Sequence, residues 1–539
     1  MQIAQNRVAE WTFVSAKAYS DPYRDVQIRL EVDEEGGTRT VPGFWDGGST
    51  WKIRYSSPRT GSFRYRTVCS DASNPDLNGI EGMIEIVPYE GDNPLYRHGP
   101  IRRSADSRYL EHEDGKPFFW LADTWWMSLT KRLKWPEEYM EVLNDRVEKG
   151  FSVIQIIAGL YPDMQPFDER GANEAGFPWD EEYKTINPAY FQKADDRIYA
   201  LAEAGLVPCL VGCWGFYLGV AGKEAISKHW DYLMARYGAL PVVWCLTGEA
   251  TMPFYTNPVV LDKDKLAEYQ EAIRHEWTDV TRHVKETDPF DRLVTIHPTT
   301  YSREMVDDPA LLDFEMLQTG HSSFIHIPNT MKRVREAVGM EPRMPFLNSE
   351  VCYEGIGYSS PPDIQRFMFW ACVLSGACGH TYGANGLWQI NGIDKPYGAH
   401  PYGMGWGETS WKEAYNLPGS LHVGLSKKLL DRLPWWKFEP HPEWLEDLSY
   451  ENEFIVPYAA GAPGEARVVF LPFWEFKTWG GVLIRHLEPD INYRAYYYSP
   501  ITGQEHDLGD VTPSEQGEWR SAAMPGFHDW VLVLEKKEV

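Results

Sequence analysis

Hydrophobic and polar residues alternate along the first ninety positions, as in Asp25-Val-Gln-Ile-Arg-Leu-Glu-Val32, where every second side chain is apolar. That period of two belongs to strands with one buried face. Trp51–Pro58 and Gly61–Val68 read as two further strands joined by a turn. With no long helical period among them, residues 1–97 are expected to form a β-sandwich. Gly91-Asp-Asn-Pro-Leu-Tyr-Arg-His-Gly-Pro100 then supplies the turn-forming residues of a linker.

From residue 98 to 431 the pattern changes to short apolar runs separated by helical stretches. Eight runs begin near Phe118, Phe151, Leu206, Val242, Leu293, Asp313, Pro345 and Ala377. Pro136–Gly150 is one intervening helix, with Pro near its start and Gly at its end. Eight strand–helix units predict a (β/α)8 barrel, an α/β fold of the TIM type. The fifth and sixth runs start only 20 residues apart (293 to 313), so the helix between them must be short. Alternation returns after residue 432 in Arg467-Val-Val-Phe-Leu471, Tyr493-Arg-Ala-Tyr-Tyr-Tyr498 and Trp530-Val-Leu-Val-Leu534, with Ser499-Pro-Ile-Thr-Gly-Gln504 as a turn. Residues 432–539 therefore predict a second β-sandwich.

In such a barrel the side chains just past the C-terminal end of each strand face the active site. Collecting them gives Asp123, Trp125 and Trp126 after the first strand, Gln155 on the second and Trp214 after the third. Glu249 follows the fourth, His297 ends the fifth, and Gln318 and His321 follow the sixth. Glu350 and Glu354 follow the seventh, and His380, Tyr382 and Trp388 the eighth. Glu249 and Glu350 close the runs Val242-Val-Trp-Cys-Leu-Thr-Gly-Glu249 and Pro345-Phe-Leu-Asn-Ser-Glu350. Paired carboxylates on one rim suit glycosidic bond cleavage, one protonating the leaving oxygen and one attacking or activating water. Glu354 is read as orienting another side chain. Asp123 is either a cap or a hydroxyl binder.

Composition narrows the ligand. The net charge of −26 argues against nucleic acid and anionic membranes as partners. The collected rim holds almost no Lys or Arg and no phosphate-cradling glycine loop, and Gly403-Met-Gly-Trp-Gly407 opens no helix. A neutral, polyhydroxylated substrate follows, and the 23 Trp residues include candidates for stacking on sugar faces. No metal or organic cofactor is called for: the chain has neither His-x-His at the end of the first strand nor His-Glu-x-x-His. Seven cysteines without paired spacing do not form a disulfide framework. The first residues lack an apolar signal core and no run reaches membrane-spanning length, so a cytoplasmic protein is expected. Whether it forms a homo-oligomer is left open.

Phe118-Phe-Trp-Leu-Ala-Asp-Thr-Trp-Trp126, Val243-Trp-Cys-Leu-Thr-Gly-Glu249 and Asn348-Ser-Glu-Val-Cys-Tyr-Glu-Gly355 resemble the apiosidase-like glycoside hydrolases, barrel enzymes related to clan A of retaining glycosidases. The flanking sandwiches resemble the domain that often precedes such barrels and the collagen-binding-like β domain that follows. The resemblance implies Glu249 as general acid/base and Glu350 as nucleophile of a retaining glycosidase. The expected cytoplasmic location favours exo action on small oligosaccharides or glycosides. The sequence leaves the terminal sugar open among pentofuranoses such as apiose or arabinose, and galactose. Family members usually read Gly-Gly-Asp where this chain has Thr247-Gly248-Glu249, and clan relatives place Asn where Gly248 stands. These departures bear on which sugar is taken. The other reading is a barrel that binds carbohydrate without cleaving it, and the presence of both glutamates counts against it.

Overall fold

The computed structural model describes residues 1–446, 453–473 and 480–537. Eight parallel strands form one sheet: β1 (Trp120–Thr124), β2 (Val153–Ile157), β3 (Val207–Val211), β4 (Val243–Gly248), β5 (Val294–His297), β6 (Glu315–Gln318), β7 (Phe346–Glu350) and β8 (Gly379–Tyr382). Their order is β5-β4-β3-β2-β1-β8-β7-β6, a sheet curled until its two edges meet. There the Thr295 hydroxyl donates to Phe314 O at 2.9 Å and Asp313 N to Val294 O at 2.9 Å, nearly closing the barrel. Almost every strand residue is buried, because helices cover the outside and side chains fill the inside.

The helical layer comprises α1 (Glu137–Lys149), α2 (Pro188–Glu203), α3 (Lys223–Tyr237), α4 (Lys263–Thr287), α5 (Ile327–Val338), α6 (Pro362–Val373) and α7 (Pro418–Leu430). Gly150 ends α1 at φ 84°, where its N–H reaches Arg146 O and Val147 O. Between β5 and β6 the expected short helix is replaced by two 3-10 turns, Ser302–Met305 and Pro309–Leu311. Seventeen residues leave no room for a helix that must run the barrel's length and return.

Near the N-terminus a five-stranded and a three-stranded sheet pack face to face around Leu30, Val32, Trp51, Ile53, Ile84 and Ile86. Thr50–Tyr55 and Gly61–Cys69 are not a hairpin as their spacing suggested. They lie in opposite sheets, so the turn between them crosses the sandwich. In the C-terminal region, six antiparallel strands between Glu439 and Lys536 form a sheet. Val468, Phe470, Tyr496 and Val533 point to the barrel core, while Val469, Leu471, Tyr497 and Leu532 face a separate core. This is the period of two observed from both sides. Among the described residues no helix is long and apolar enough to cross a membrane.

Buried arginines tie both flanks to the barrel. Arg236 of α3 holds Asp195 at 2.7 Å and Asp46 at 2.9 Å, and Arg54 of the N-terminal sheet holds the same Asp195 at 2.6 Å. At the other end Arg366 of α6 grips Asp529 through Nε and Nη2, both at 2.6 Å. Removing one partner of such a pair strands a buried charge at a cost of about 3–5 kcal/mol. Asp529→Ala is therefore expected to lower the thermal midpoint and make the C-terminal sheet the first site of limited proteolysis. An unchanged midpoint would contradict this role.

Candidate active site

The mouths of β4 and β7 are built by local irregularities. Pairing of β4 with β5 shifts register between Cys245 and Gly248, and pairing of β6 with β7 shifts between Leu317 and Gln318. Such shifts bend a strand end and re-aim its side chains. Glu249 leaves β4 at φ 50°, a left-handed conformation that carries strain in a non-glycine residue, with its N–H bonded to His297 O at 2.7 Å. Gly248 has to be glycine: a Cβ there would lie 2.2 Å from the Trp214 ring. The indole occupying that space donates from Nε1 to Glu249 Oε2 at 3.2 Å.

Gln318 joins the two carboxylates. Its Nε2 lies 3.1 Å from Glu249 Oε1 and 3.5 Å from Glu350 Oε1, so those oxygens are no further apart than the sum, 6.6 Å. If each takes one of the amide's two diverging N–H groups, the separation is about 5.7 Å. Glu350 is buried, with His297 Nε2 3.1 Å from Oε2 and His321 Nδ1 3.2 Å from Oε1. Burial alone would raise the Glu350 pKa. The charge of His321, contact with His297 and the Tyr353 hydroxyl outweigh it and hold this carboxyl below the usual range. Glu249, partly exposed at the rim, is pushed the other way, by burial and then by the charge on Glu350. The pair is thus polarised into one carboxylate and one carboxylic acid.

Both open onto a cavity lined also by Trp126, Trp214, His321 and Trp388. Tyr353 carries the wall between His321 and Trp388, with ring centroids at 5.8 Å and 6.0 Å and planes within 29° and 23°. Of the rim residues singled out from the sequence, Glu249, Glu350, Trp126, Trp214, His321 and Trp388 line this cavity, and His297 and Gln318 touch its carboxylates.

The remainder lie behind it. Asp123 is fully buried, its Oδ2 bound by Arg146 Nε at 2.6 Å and Trp125 Nε1 at 2.7 Å, so neither Asp123 nor Trp125 reaches a ligand in the cavity. Gln155 lies 3.4 Å from Thr124 Oγ1 and from Ser349 O. Glu354 accepts from the Tyr382 hydroxyl at 2.5 Å and from Gly419 N at 2.9 Å, which braces the loop after β7. His380 packs on Phe369 of α6, where burial pushes its pKa down to about 3.

Residues 104–437 match the family model described as "Apiosidase-like, catalytic domain". The chain belongs to this family of glycoside hydrolases. Residues 2–70 match a domain of unknown function, DUF5060. No curated protein matches the sequence. Among solved structures, a family 5 glycoside hydrolase of Bacteroides vulgatus is 22% identical and superimposes with TM-score 0.66, covering 83% of this chain and 94% of its own. A second protein of that bacterium, 17% identical, covers 99% of this chain and 100% of its own with TM-score 0.69. At these identities the likeness is one of fold.

The apiosidase-like pocket also uses residues that the strand ends did not point to. Asp163 comes from the loop after β2, Tyr255 from that after β4, Tyr353 from that after β7, and Trp406 from that after β8. Trp406 lies within Gly403–Gly407, the glycine cluster that opens no helix, and its carbonyl is pinned by Asn385 Nδ2 at 2.7 Å. A lone Trp among glycines was the available signal.

Gly248→Ala is expected to drive Trp214 off Glu249. Overpacking of this kind costs about 1–3 kcal/mol, read as a lower thermal midpoint, with a shift in tryptophan emission as the indole loses its partner. Unchanged emission and stability would show that the indole does not fill this space.

Proposed function

We propose that this apiosidase-like enzyme is a retaining exo-glycosidase that releases one terminal neutral sugar from small oligosaccharides or glycosides. The observation carrying the proposal is the pair of carboxylates bridged by one amide and polarised in opposite directions. Retaining enzymes set their carboxyl groups about 5–5.5 Å apart, while inverting ones need roughly 6.5–9.5 Å to admit water. An upper limit of 6.6 Å, with about 5.7 Å for the amide-bridged geometry, favours double displacement.

Glu350, ionised and flanked by His297 and His321, attacks the anomeric carbon to form the glycosyl-enzyme. Glu249 delivers its proton to the departing oxygen, then removes one from the water that hydrolyses the intermediate. Among the described residues no Lys or Arg lines the cavity, which suits a neutral terminal residue such as a pentofuranose or galactose.

The two shifts fix the sign of the pH dependence. Activity falls on the acid side as Glu350 takes up a proton, at a pH below the ordinary carboxylate range. It falls on the alkaline side as Glu249 loses its proton, above that range. Glu249→Gln is expected to abolish the alkaline limb and to cost about 10²–10⁴-fold on alkyl glycosides. The burst of dinitrophenolate from a 2,4-dinitrophenyl glycoside, whose leaving group needs no proton, is largely kept. Glu350→Gln loses turnover on both, and NMR of the first-formed wild-type product shows the anomer of the substrate. An inverted anomer, or near wild-type turnover in Glu350→Gln, would sink the mechanism.

A further inference from the structure

Asp163 is a third carboxylate on the pocket wall, only 6% exposed, and the double-displacement mechanism does not use it. The Tyr255 hydroxyl donates to its Oδ1, and Trp406 Nε1 donates to its Oδ2 at 3.2 Å. Among the described residues no Lys or Arg forms an ion pair with it. Other buried aspartates differ in this respect: Asp123 is paired with Arg146 and Asp529 with Arg366. A buried carboxylate without a counter-charge is costly to keep, and each of its oxygens has a second lone pair left after the two donors are counted.

The surroundings hold this carboxylate towards the reacting centre. Asp163 adopts φ 60°, and the only other lining residue at positive φ is Glu249. Strain of this kind collects where a ligand is gripped. Tyr255 is stacked on His400 at 5.1 Å with planes 6° apart, and His400 in turn lies 5.8 Å from Trp406, so the loops after β4 and β8 lock the two donors in place. Burial raises the Asp163 pKa; the Tyr255 and Trp406 donors and the charge of His400 oppose that rise, and the negative charge of Glu350 adds to it, as expected for groups facing one space.

We propose that Asp163 is the specificity-determining carboxylate of the pocket, accepting two adjacent hydroxyls of the terminal sugar. The inference rests on the glycosidase reading of the Glu249–Glu350 pair and names the substrate class more narrowly. Two oxygens of one carboxylate, each with a free lone pair, match a vicinal diol. A sugar bearing its own carboxylate would add a further anion beside Asp163 and Glu350, where His321 is already engaged by Glu350 and, among the described residues, no Lys or Arg lines the cavity. The pocket therefore selects neutral sugars with an intact diol and rejects uronides.

The test uses 4-nitrophenyl glycosides: the one that wild type cleaves fastest, its analogues lacking either hydroxyl of each vicinal pair, and the corresponding uronide. Wild type is expected to lose about 10- to 100-fold in kcat/KM on the two analogues lacking the gripped hydroxyls. Asp163→Ala should lose a similar factor on the parent glycoside and treat parent and analogues alike. Asp163→Asn keeps the shape and one acceptor oxygen, so with a wild-type thermal midpoint it should lose discrimination at one hydroxyl only. If Asp163→Ala discriminates among the analogues as wild type does, or if wild type cleaves the uronide as fast as the parent, the inference is overturned. Should Glu350→Gln keep its turnover, the glycosidase reading itself has failed, and this control separates the two failures.

Discussion

Two carboxylates close enough to share the Gln318 amide cannot both ionise away from water without a heavy electrostatic cost. Their surroundings remove the symmetry. Glu350 sits deep with two imidazoles against it, whereas Glu249 sits at the rim with only an indole N–H and the shared amide. One group is therefore stabilised as the anion and the other as the acid. The division of labour in double displacement needs that difference more than it needs either glutamate's identity.

The rest of the molecule maintains this difference. Glu249 and Gln318 both stand where barrel pairing slips register, so their direction depends on the strands beneath being rigid. Rigidity comes from fully buried strands, from the helices around them, and from flanking sheets anchored by Arg54, Arg236 and Arg366. Arg146 neutralises Asp123 beneath the first loop, which leaves the cavity lined by carboxylates, one imidazole and aromatic rings.

Much of this was legible in the chain. Buried parallel strands appear as unbroken apolar runs, so all eight could be located, and the two glutamates followed from the rule that strand ends face the site. Periodicity could not separate rim residues that point inward from those that brace the rim. Asp123 lies within the last two residues of β1 and Glu354 four residues past β7, yet both read as rim residues; an arginine 23 positions further on captures the first, and a tyrosine with a backbone N–H captures the second. Those partners lie on other elements, beyond any local pattern. Asp163, Tyr255 and Trp406 were missed for a related reason, since long loops carry no period that would place them.

The Thr-Gly-Glu motif, which set this chain apart from its relatives, has a local physical cause. At position 248 a side chain and the Trp214 indole compete for one space, and glycine leaves it to the indole. The donor here comes from the neighbouring strand end, on Trp214 Nε1, and it reaches Glu249. The sugar preference proposed above rests less on the motif's letters than on what the two carboxylates leave open: an aromatic wall and the carboxylate of Asp163 within the same cavity.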